Sequence, residues 1–343
     1  IKKHIGNYNG KIKFYEHHLT HQLYAESLCQ NSENISISYD GGGEADSTVI
    51  SINSNGKKEI IKKIKWPNSI GHFYSFFTGY LGFRMLEGEY KMMGLAPLGK
   101  PTYKEKILNN VISYDDRKKI YNFNFKLCDY HSALDGNFDS KVINLFGPPR
   151  RQSEPVNETH MNLASSVQEV FEEILEKLVI STKLDYPYIK ELVLSGGCAL
   201  NVTANGKIIE KNLFKNVSLP PAPHDGGCSV GAVLCHHSND SSLQIDYESL
   251  KNPYLGSGYT NEEIKIEFER LNLKIPEFYN DEELTNKTAE KLSSKCVVAW
   301  FQGRSEFGPR ALGSRSFLAD PREDDIREEI NSKIKKRELF RPF

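Results

Sequence analysis

The chain has 343 residues and a formal net charge of −1, with 38% hydrophobic and 26% charged residues. This composition is typical of a globular protein, and no apolar run approaches the roughly 18 residues that a membrane helix needs. The near-neutral charge gives no broad attraction to nucleic acid or anionic lipid, although basic side chains are concentrated near the C-terminal end. We therefore expect no membrane span and no nucleic-acid partner.

The length favours about two domains. The chain begins at Ile1 rather than Met and ends at Phe343 within a charged amphipathic run, so we expect an internal fragment. The six cysteines contain no C-x-x-C pair, which argues against a zinc ribbon or a disulfide framework. A reducing cytoplasm fits this pattern best.

The first half of the chain shows three clear periodic patterns. Apolar and lysine side chains alternate over residues 11–15, which predicts a strand, and the next residues, EHHLTHQLYAESL, have helical composition. A second alternation over residues 35–39 runs into Asp40 and three glycines and resumes as STVISI, which predicts a β-hairpin with a tight glycine turn. Apolar residues at three- and four-residue spacing over 163–179 predict one long amphipathic helix.

The second half continues as alternating strands and helices. Residues 192–194 predict a buried strand, followed by a Ser-Gly-Gly turn and another helix. Beyond a polar stretch with linker composition, KCVVAWF and RSFLAD predict further strands. We expect an α/β domain over residues 1–240, a linker over 241–258 and a second, partial α/β domain over 259–343.

His17 and His21 are candidate metal ligands. They lie four residues apart, so on a helix their Cβ atoms are about 5 to 6 Å apart and both imidazoles can reach one ion. The spacing alone is more typical of surface or capping histidines. His18 points elsewhere and is expected either to support the metal ligands without binding the ion or to be structural.

Three glycine-rich turns are candidate phosphate sites, because glycine leaves backbone N–H groups open to phosphate oxygens. They follow Asp40, Ser195 and Asp225, and the second and third precede helices, whose N-termini can bind anions. Each turn taken singly is also compatible with a plain connection. Together with the two histidines they predict one cleft, and the arrangement fits the α/β architecture of actin, hexokinase and heat-shock ATPases, which is ribonuclease H-like.

Arginines recur near the end of the chain. GPRALGSRS packs Arg310 and Arg315 between glycines and apolar residues, and KIKKRELFR follows with Lys335 and Arg341. Arginine binds planar carboxylate, carbamate or phosphate groups through two oxygens at once. The first segment favours a buried anion pocket, whereas the second is more typical of a solvated helix face.

The whole sequence resembles the carbamoyltransferases that modify nodulation factors and antibiotics of the aminoglycoside and cephalosporin kinds. The segments that carry the resemblance are EHHLTH, YDGGG, FYSFFTGYLGF, GEYKMMGLAPLGKP, LFGPPR, LSGGCALN, PAPHDGGCSVGAVL, EFGPRALGSRSFLADPR and KKRELFRPF. The resemblance implies an actin-like, tRNA-threonylcarbamoylation-type domain in which ATP and carbamoyl phosphate form carbamoyl adenylate. It also implies the start of a threonylcarbamoyl-adenylate-synthase-like α/β domain, which delivers the carbamoyl group to a small-molecule or glycan hydroxyl.

The resemblance implies roles for particular residues. The implied metal ligands are His17, His21, Asp40 and Asp225. Relatives suggest iron(II) at this site, while manganese and zinc also suit such ligands, and magnesium would accompany ATP. The residues implied near the nucleotide are Gly41, Gly42, Gly43, Gly196, Gly197, Asn201, Gly226 and Gly227. Those implied to hold the adenylate are Arg310, Lys335 and Arg341, and the candidates for substrate contacts are Glu89, Lys91 and Arg315.

Two alternatives stay open. One is a tRNA threonylcarbamoyladenosine-type transferase, against which the fused GPRALGSRS segment and the near-neutral charge argue. The other is a non-catalytic actin-fold nucleotide-binding scaffold, against which the retained histidines and aspartates argue. Because the family's opening strands and the rest of its second domain lie outside this sequence, we expect the chain by itself not to complete catalysis. A homodimer is one option for its assembly.

Overall fold

The computed structural model describes residues 10–29, 31–239, 244–275, 277, 279–322 and 324–343. The strands are β1 (Asn34–Gly43), β2 (Asp46–Ser54), β3 (Lys57–Lys65), β4 (Ile112–Asp115), β5 (Ile120–Phe123), β6 (Glu191–Ser195), β7 (Asn216–Ser218), β8 (Val298–Phe301) and β9 (Arg315–Leu318). The helices of the first half are α1 (His17–Glu26), α2 (Ile70–Tyr80), α3 (Glu89–Leu95), α4 (Lys104–Asn110), α5 (Tyr130–Leu134), α6 (Ser140–Phe146) and α7 (Glu158–Asp185). The later helices are α8 (Val202–Glu210), α9 (Cys228–Asn239), α10 (Tyr247–Leu250), α11 (Asn261–Arg270), α12 (Asp281–Ser293) and α13 (Ile326–Glu329).

The main sheet has five strands in the order β3-β2-β1-β6-β7. The first three strands form an antiparallel meander, and β6 and β7 extend it as parallel strands. Because side chains alternate along β1, its two faces meet different helices. Ile35 and Ile37 belong to the hydrophobic core with the aromatic residues of α2, whereas Ser38 faces α1 and contacts His18. The molecule is therefore a mixed α/β structure with helices on both faces of a central sheet.

The core beside the sheet is rich in aromatic rings. Phe73, Phe76 and Phe77 of α2 are at most 1% exposed and pack edge to face against neighbouring rings. The 28-residue helix α7 has Asn157 as its N-cap and packs against α2. Burial of these large rings stabilises the strand ends that carry the candidate site, by roughly 1.5 to 3 kcal/mol per side chain.

Several elements confirm the sequence predictions, among them α1, the β1–β2 hairpin, α7, β6, β8 and β9. The predicted strand over residues 11–15 is wrong, because the described residues 10–16 form no strand. Ile12 and Phe14 are 46% and 77% exposed, so the alternation there does not mark a buried face.

The predicted glycine turn is also misplaced. Gly41 to Gly43 continue β1, and the reversal falls on Glu44, with φ 49°, and Ala45. The ladder between β1 and β2 is irregular between Tyr39 and Gly43. The glycines thus accommodate an irregularity in the strand, and they do not form the turn itself.

The predicted linker over residues 241–258 follows α9, which ends at Asn239, and contains α10, while residues 241–243 lie outside the described residues. The proposed boundaries at 240 and 258 stay a prediction. Beyond them, α11 and α12 begin with capping boxes and bury none of their residues, and β8 pairs with β9 in a small separate sheet. Within the described ranges, no helix combines the length and apolarity that crossing a bilayer requires.

Candidate metal centre

Helix α1 presents His17 and His21 on one face, one turn apart. Their Nε2 atoms are 3.0 Å from each other. The side chain of His21 is 1% exposed and that of His17 is 22% exposed, so one imidazole is buried and the other lies at the mouth of the site. The spacing prediction is confirmed: both ring nitrogens point to one place.

Two carboxylates from distant parts of the chain meet these imidazoles. Oδ2 of Asp40, near the end of β1, is 3.2 Å from Nε2 of His21 and 3.7 Å from Nε2 of His17. Oδ1 of Asp225, just before α9, is 3.5 Å and 3.7 Å from the same two nitrogens. Four side chains from three segments therefore converge within ligand distance of one another.

Two glycines permit this convergence. A Cβ on Gly231 of α9 would lie 2.0 Å from the carbonyl oxygen of Thr20, so only glycine lets α9 pack this closely on α1. Gly196 has φ 91°, and a Cβ there would lie 2.2 Å from the carbonyl oxygen of Tyr39. This close approach brings the turn after β6 against the end of β1, where Asp40 lies.

The local charges favour a cation. Burial would raise the pKa of Asp40, but hydrogen bonds with His17 and His21 and from the Gly197 N–H hold it well below its usual range. Burial would lower the pKa of His21, but hydrogen bonds with Asp225 and Asp40 raise it to about 11. In the absence of another cation, His21 therefore takes a proton to balance the two carboxylates.

The donor set fits a divalent transition metal. Two imidazole nitrogens and two carboxylate oxygens are the ligands that zinc, iron(II) and manganese accept. A divalent ion bound by these four side chains would take the place of the proton on His21. Its positive charge would balance the two carboxylates.

His18 does not belong to this group. Its Nδ1 is 2.8 Å from Oγ of Ser38 and its Nε2 is 3.0 Å from the carbonyl oxygen of Asp46. Both ring nitrogens thus tie α1 to the β1–β2 hairpin, and burial lowers the pKa of the ring. Of the two roles expected for His18, the structural one is confirmed.

Sequence reasoning missed three neighbours of the site. Cys228 Sγ is 3.5 Å from Nε2 of His21. His72 stacks on Tyr130 with ring centroids 4.0 Å apart, and a Cβ on Gly41 would lie 3.4 Å from its Nε2. Ser69 caps α2 and its hydroxyl donates to the carbonyl oxygen of Gly41 over 2.7 Å. Of these three residues, Cys228 could have been predicted from the sequence, because it lies three residues after Asp225.

Comparison with known families covers most of the chain. A family model described as the carbamoyltransferase N-terminus matches residues 3–234, and one described as the carbamoyltransferase C-terminus matches residues 289–343. The chain belongs to the carbamoyltransferase family. All four candidate ligands lie within the N-terminal match.

Individual relatives extend the comparison. An uncharacterized protein of Synechocystis sp. is 37% identical over 337 residues, which are 97% of this chain and 54% of that protein. Nodulation protein NolNO of Sinorhizobium fredii is 32% identical over 350 residues, covering 97% of this chain and 47% of that protein. The chain thus spans about half the length of these curated relatives. A crystal structure of full-length HypF has 18% identity and a TM-score of 0.37, covering 69% of this chain and 37% of that one, a likeness too low to carry an argument.

Two of the glycine-rich segments contact the carboxylate of Asp40. The N–H groups of Gly41 and Gly197 donate to its two oxygens over 2.6 Å and 2.9 Å. Gly42 lies between Gly41 and Gly43 on β1. These two segments therefore lie beside the candidate metal ligands, and the N–H groups of Gly41 and Gly197 bind Asp40.

The other residues predicted near the nucleotide have local partners. The N–H of Gly226 donates to Nδ1 of His224 over 3.0 Å, and that of Gly227 donates to the His224 carbonyl oxygen over 2.8 Å. Asn201 caps α8 and exchanges two hydrogen bonds of 2.9 Å with the side chain of Gln168. Their part in nucleotide binding stays a prediction.

The arginine-rich segment is not the buried pocket that its composition predicts. Arg310 is exposed, and the guanidinium of Arg315 stacks on Phe301 at 3.4 Å and donates to the backbone carbonyls of residues 257, 302, 303 and 314. Lys335 is also exposed and lies over the ring of Phe317 at 4.5 Å. The backbone of this segment thus wraps around the side chain of Arg315. The amino-acid composition of the segment does not predict that arrangement.

The remaining candidates lie where the chain end meets α3. Nζ of Lys91 is 2.8 Å from Oε1 of Glu338, and the guanidinium of Arg341 lies 4.2 Å from the ring centroid of Tyr90. Glu89 accepts hydrogen bonds from the Ser75 hydroxyl over 2.5 Å and from a backbone N–H of the preceding loop over 2.8 Å. Lys91 and Arg341, predicted from separate motifs, thus lie on one contact between α3 and the C-terminal residues.

Proposed function

We propose that the protein is an ATP-dependent O-carbamoyltransferase that uses carbamoyl phosphate to carbamoylate a hydroxyl of a small molecule or sugar. The observation that carries the proposal is the convergence of His17, His21, Asp40 and Asp225 in a chain of the carbamoyltransferase family. The glycine-rich segments that contain Gly41 and Gly197 lie beside Asp40 and donate backbone N–H groups to its carboxylate.

These four side chains would hold a divalent ion, iron(II) in the first instance, with manganese or zinc as the other options. When bound, the ion supplies positive charge that stabilises phosphate oxygens as charge builds on them. Magnesium would enter with ATP.

The residues of the chain have separable tasks. The carboxylate of Asp40 stays ionised, because its pKa lies well below the usual range, and the Gly41 and Gly197 N–H groups fix its orientation. His21 must lose its proton to become a ligand. Arg310, Lys335 and Arg341 would pair with the adenylate phosphate.

The reaction balances in three steps. Water releases phosphate from carbamoyl phosphate and leaves carbamate. A carbamate oxygen then attacks the α-phosphorus of ATP, and pyrophosphate leaves. The acceptor hydroxyl attacks the carbonyl carbon of carbamoyl adenylate, losing its proton, and AMP departs with the C–O bond electrons.

The proposal also covers the folds of the two domains and the location of the protein. The meander of three strands extended by two parallel strands supports an actin-like, ribonuclease H-like first domain. The match of the C-terminal family model supports a second, transfer domain that begins after residue 258. A cytoplasmic location would supply ATP and carbamoyl phosphate together.

The test is pyrophosphate release from ATP by the full-length protein with carbamoyl phosphate present and absent. We expect release that requires carbamoyl phosphate and falls at least about 100-fold in His17→Ala and His21→Ala, a loss of about 2.7 kcal/mol of transition-state stabilisation. His131→Ala is the matched control, because this exposed histidine lies outside the cluster. Equal release by His17→Ala and the unchanged protein would overturn the metal-dependent mechanism.

A further inference from the structure

We propose that Cys228 is a ligand of the same ion, so that the centre binds metal through two imidazoles, carboxylate oxygen and one thiolate. The inference rests on the proposed function in one respect only: that the cluster holds a metal. It adds a ligand of different chemistry, which changes the metals that the site prefers.

The geometry supports a thiolate ligand. The ligand atoms of His17, His21, Asp225 and Cys228 all lie within 4.8 Å of one another, and Sγ of Cys228 is 3.5 Å from Nε2 of His21. Around a tetrahedral ion with Zn–N and Zn–S bonds of about 2.0 to 2.3 Å, neighbouring ligand atoms are roughly 3.3 to 3.6 Å apart. His17, His21, Asp225 and Cys228 therefore lie close to this spacing, and Asp40, with Oδ2 at 3.2 Å from Nε2 of His21, would be a fifth ligand beside them.

The backbone holds Cys228 in this position. Asp225 to Gly227 form one 3-10 turn, and Cys228 is the first residue of α9, so the carboxylate and the thiol project from consecutive turns. The close packing of α9 on α1 through Gly231 then brings both groups to the two histidines. Cys228 forms no disulfide, and its side chain is half-buried at the site.

A thiolate makes the centre softer than two imidazoles and two carboxylates alone. Soft and borderline ions such as zinc, iron(II) and cobalt(II) gain from sulfur, whereas manganese and magnesium prefer oxygen. Binding converts the thiol to a metal-bound thiolate and releases its proton to solvent. The competing possibility is that Cys228 only donates a weak hydrogen bond to His21, which the experiment distinguishes.

The experiment is a cobalt(II) titration of the metal-free, full-length protein, followed by absorption spectroscopy and by metal analysis. A thiolate bound to cobalt(II) gives a charge-transfer band in the near ultraviolet, whereas nitrogen and oxygen ligands give only the weaker visible bands. We expect the charge-transfer band at one equivalent of cobalt in the unchanged protein and in Cys296→Ser, whose exposed thiol is remote in sequence from the cluster. Cys228→Ser should lose the band, and its cobalt affinity should fall at least about tenfold, since even outer partners of metal ligands contribute that much.

A second measurement does not depend on a variant. Zinc should protect Cys228 from alkylation while Cys296 stays reactive, as read by peptide mass spectrometry. One equivalent of cobalt bound without the charge-transfer band, or no protection by zinc, would overturn the thiolate ligand and leave the proposed function standing. Failure to bind any stoichiometric cobalt, zinc or iron(II) would overturn both.

Discussion

The candidate metal centre and the arginine-rich C-terminal segment contrast in where their polar groups find partners. At the centre, His21, Asp40 and Asp225 come from three separate segments and face mainly one another. In the C-terminal segment, the guanidinium of Arg315 binds backbone carbonyls, and Arg322 pairs with Asp320 two residues away.

Charged side chains therefore have different roles in the two regions. Carboxylates that converge on imidazoles leave room for a cation, because their lone pairs point to one place. An arginine whose donors are occupied by carbonyl oxygens stabilises the local fold instead. The proposed metal binding belongs to the first region, and the following changes test whether the two regions are as separate as this contrast implies.

The largest expected effect is loss of the metal. His21→Ala removes the most buried ligand, and we expect affinity for zinc or iron(II) to fall at least about 100-fold, at or beyond the upper end of the range for outer partners of ligands. Metal content after dialysis and titration with a competing chelator measures this. Arg310→Ala should retain the metal, and a comparable loss there would show that the two regions share one site.

The next effect concerns the approach of the β6 turn to Asp40. Gly196→Ala should cost about 3 kcal/mol of unfolding free energy, because φ is 91° and a Cβ would overlap the Tyr39 carbonyl oxygen. Denaturant unfolding measures the loss. The control is Gly206→Ala in α8, where a Cβ meets nothing within 4 Å and alanine should stabilise by about 0.5 to 1 kcal/mol. Equal stabilities of the two variants would contradict the close approach.

The sequence predicted those parts of the candidate metal centre that depend on residues close together in the chain. His17 and His21 followed from spacing within one helix, and Asp40 from the end of an alternating strand. The approach of Asp225 is set by packing between α1 and α9, which local patterns do not encode, so only the family resemblance indicated it. Cys228 was missed for the same reason, although its spacing from Asp225 is visible.

The C-terminal segment was predicted least well. Arginines between glycines suggest an anion pocket, yet Arg315 reaches the carbonyl oxygen of Ser257, 58 residues earlier in the chain, over 3.3 Å. A backbone carbonyl partner cannot be predicted from the sequence, because every residue has a carbonyl group. The misplaced glycine turn has a similar cause, since the irregular register between Tyr39 and Gly43 depends on both strands.

Acid should weaken metal binding. The pKa of His21 is raised to about 11 in the metal-free protein, so metal must displace its proton, and affinity should rise about tenfold per pH unit between pH 6 and 8. Asp40 contributes no proton there, since its pKa lies well below the usual range. Zinc titrations at several pH values measure how affinity changes with pH. The Cys228→Ser variant is used so that no thiol proton contributes to the change. A flat profile would show that His21 is already neutral.

Arg315→Lys tests the local role of the C-terminal segment. Lysine lacks the planar fork, so it should lose several carbonyl contacts and the stacking on Phe301, at a cost of about 1 to 2 kcal/mol to the β8–β9 pair. Faster amide hydrogen exchange in β8 and β9 measures this, with exposed Arg327→Lys as the control. Metal affinity should not change, and a reduced affinity would join the segment to the centre.

The smallest effect is expected where the end of the chain contacts α3. Lys91 and Glu338 form an ion pair of 2.8 Å, but their side chains are 28% and 30% exposed, so water screens the attraction. A double-mutant cycle of Lys91→Ala and Glu338→Ala should give a coupling of about 0.2 to 1 kcal/mol that weakens with salt. A coupling well above that range would mean that this contact holds the chain end against α3.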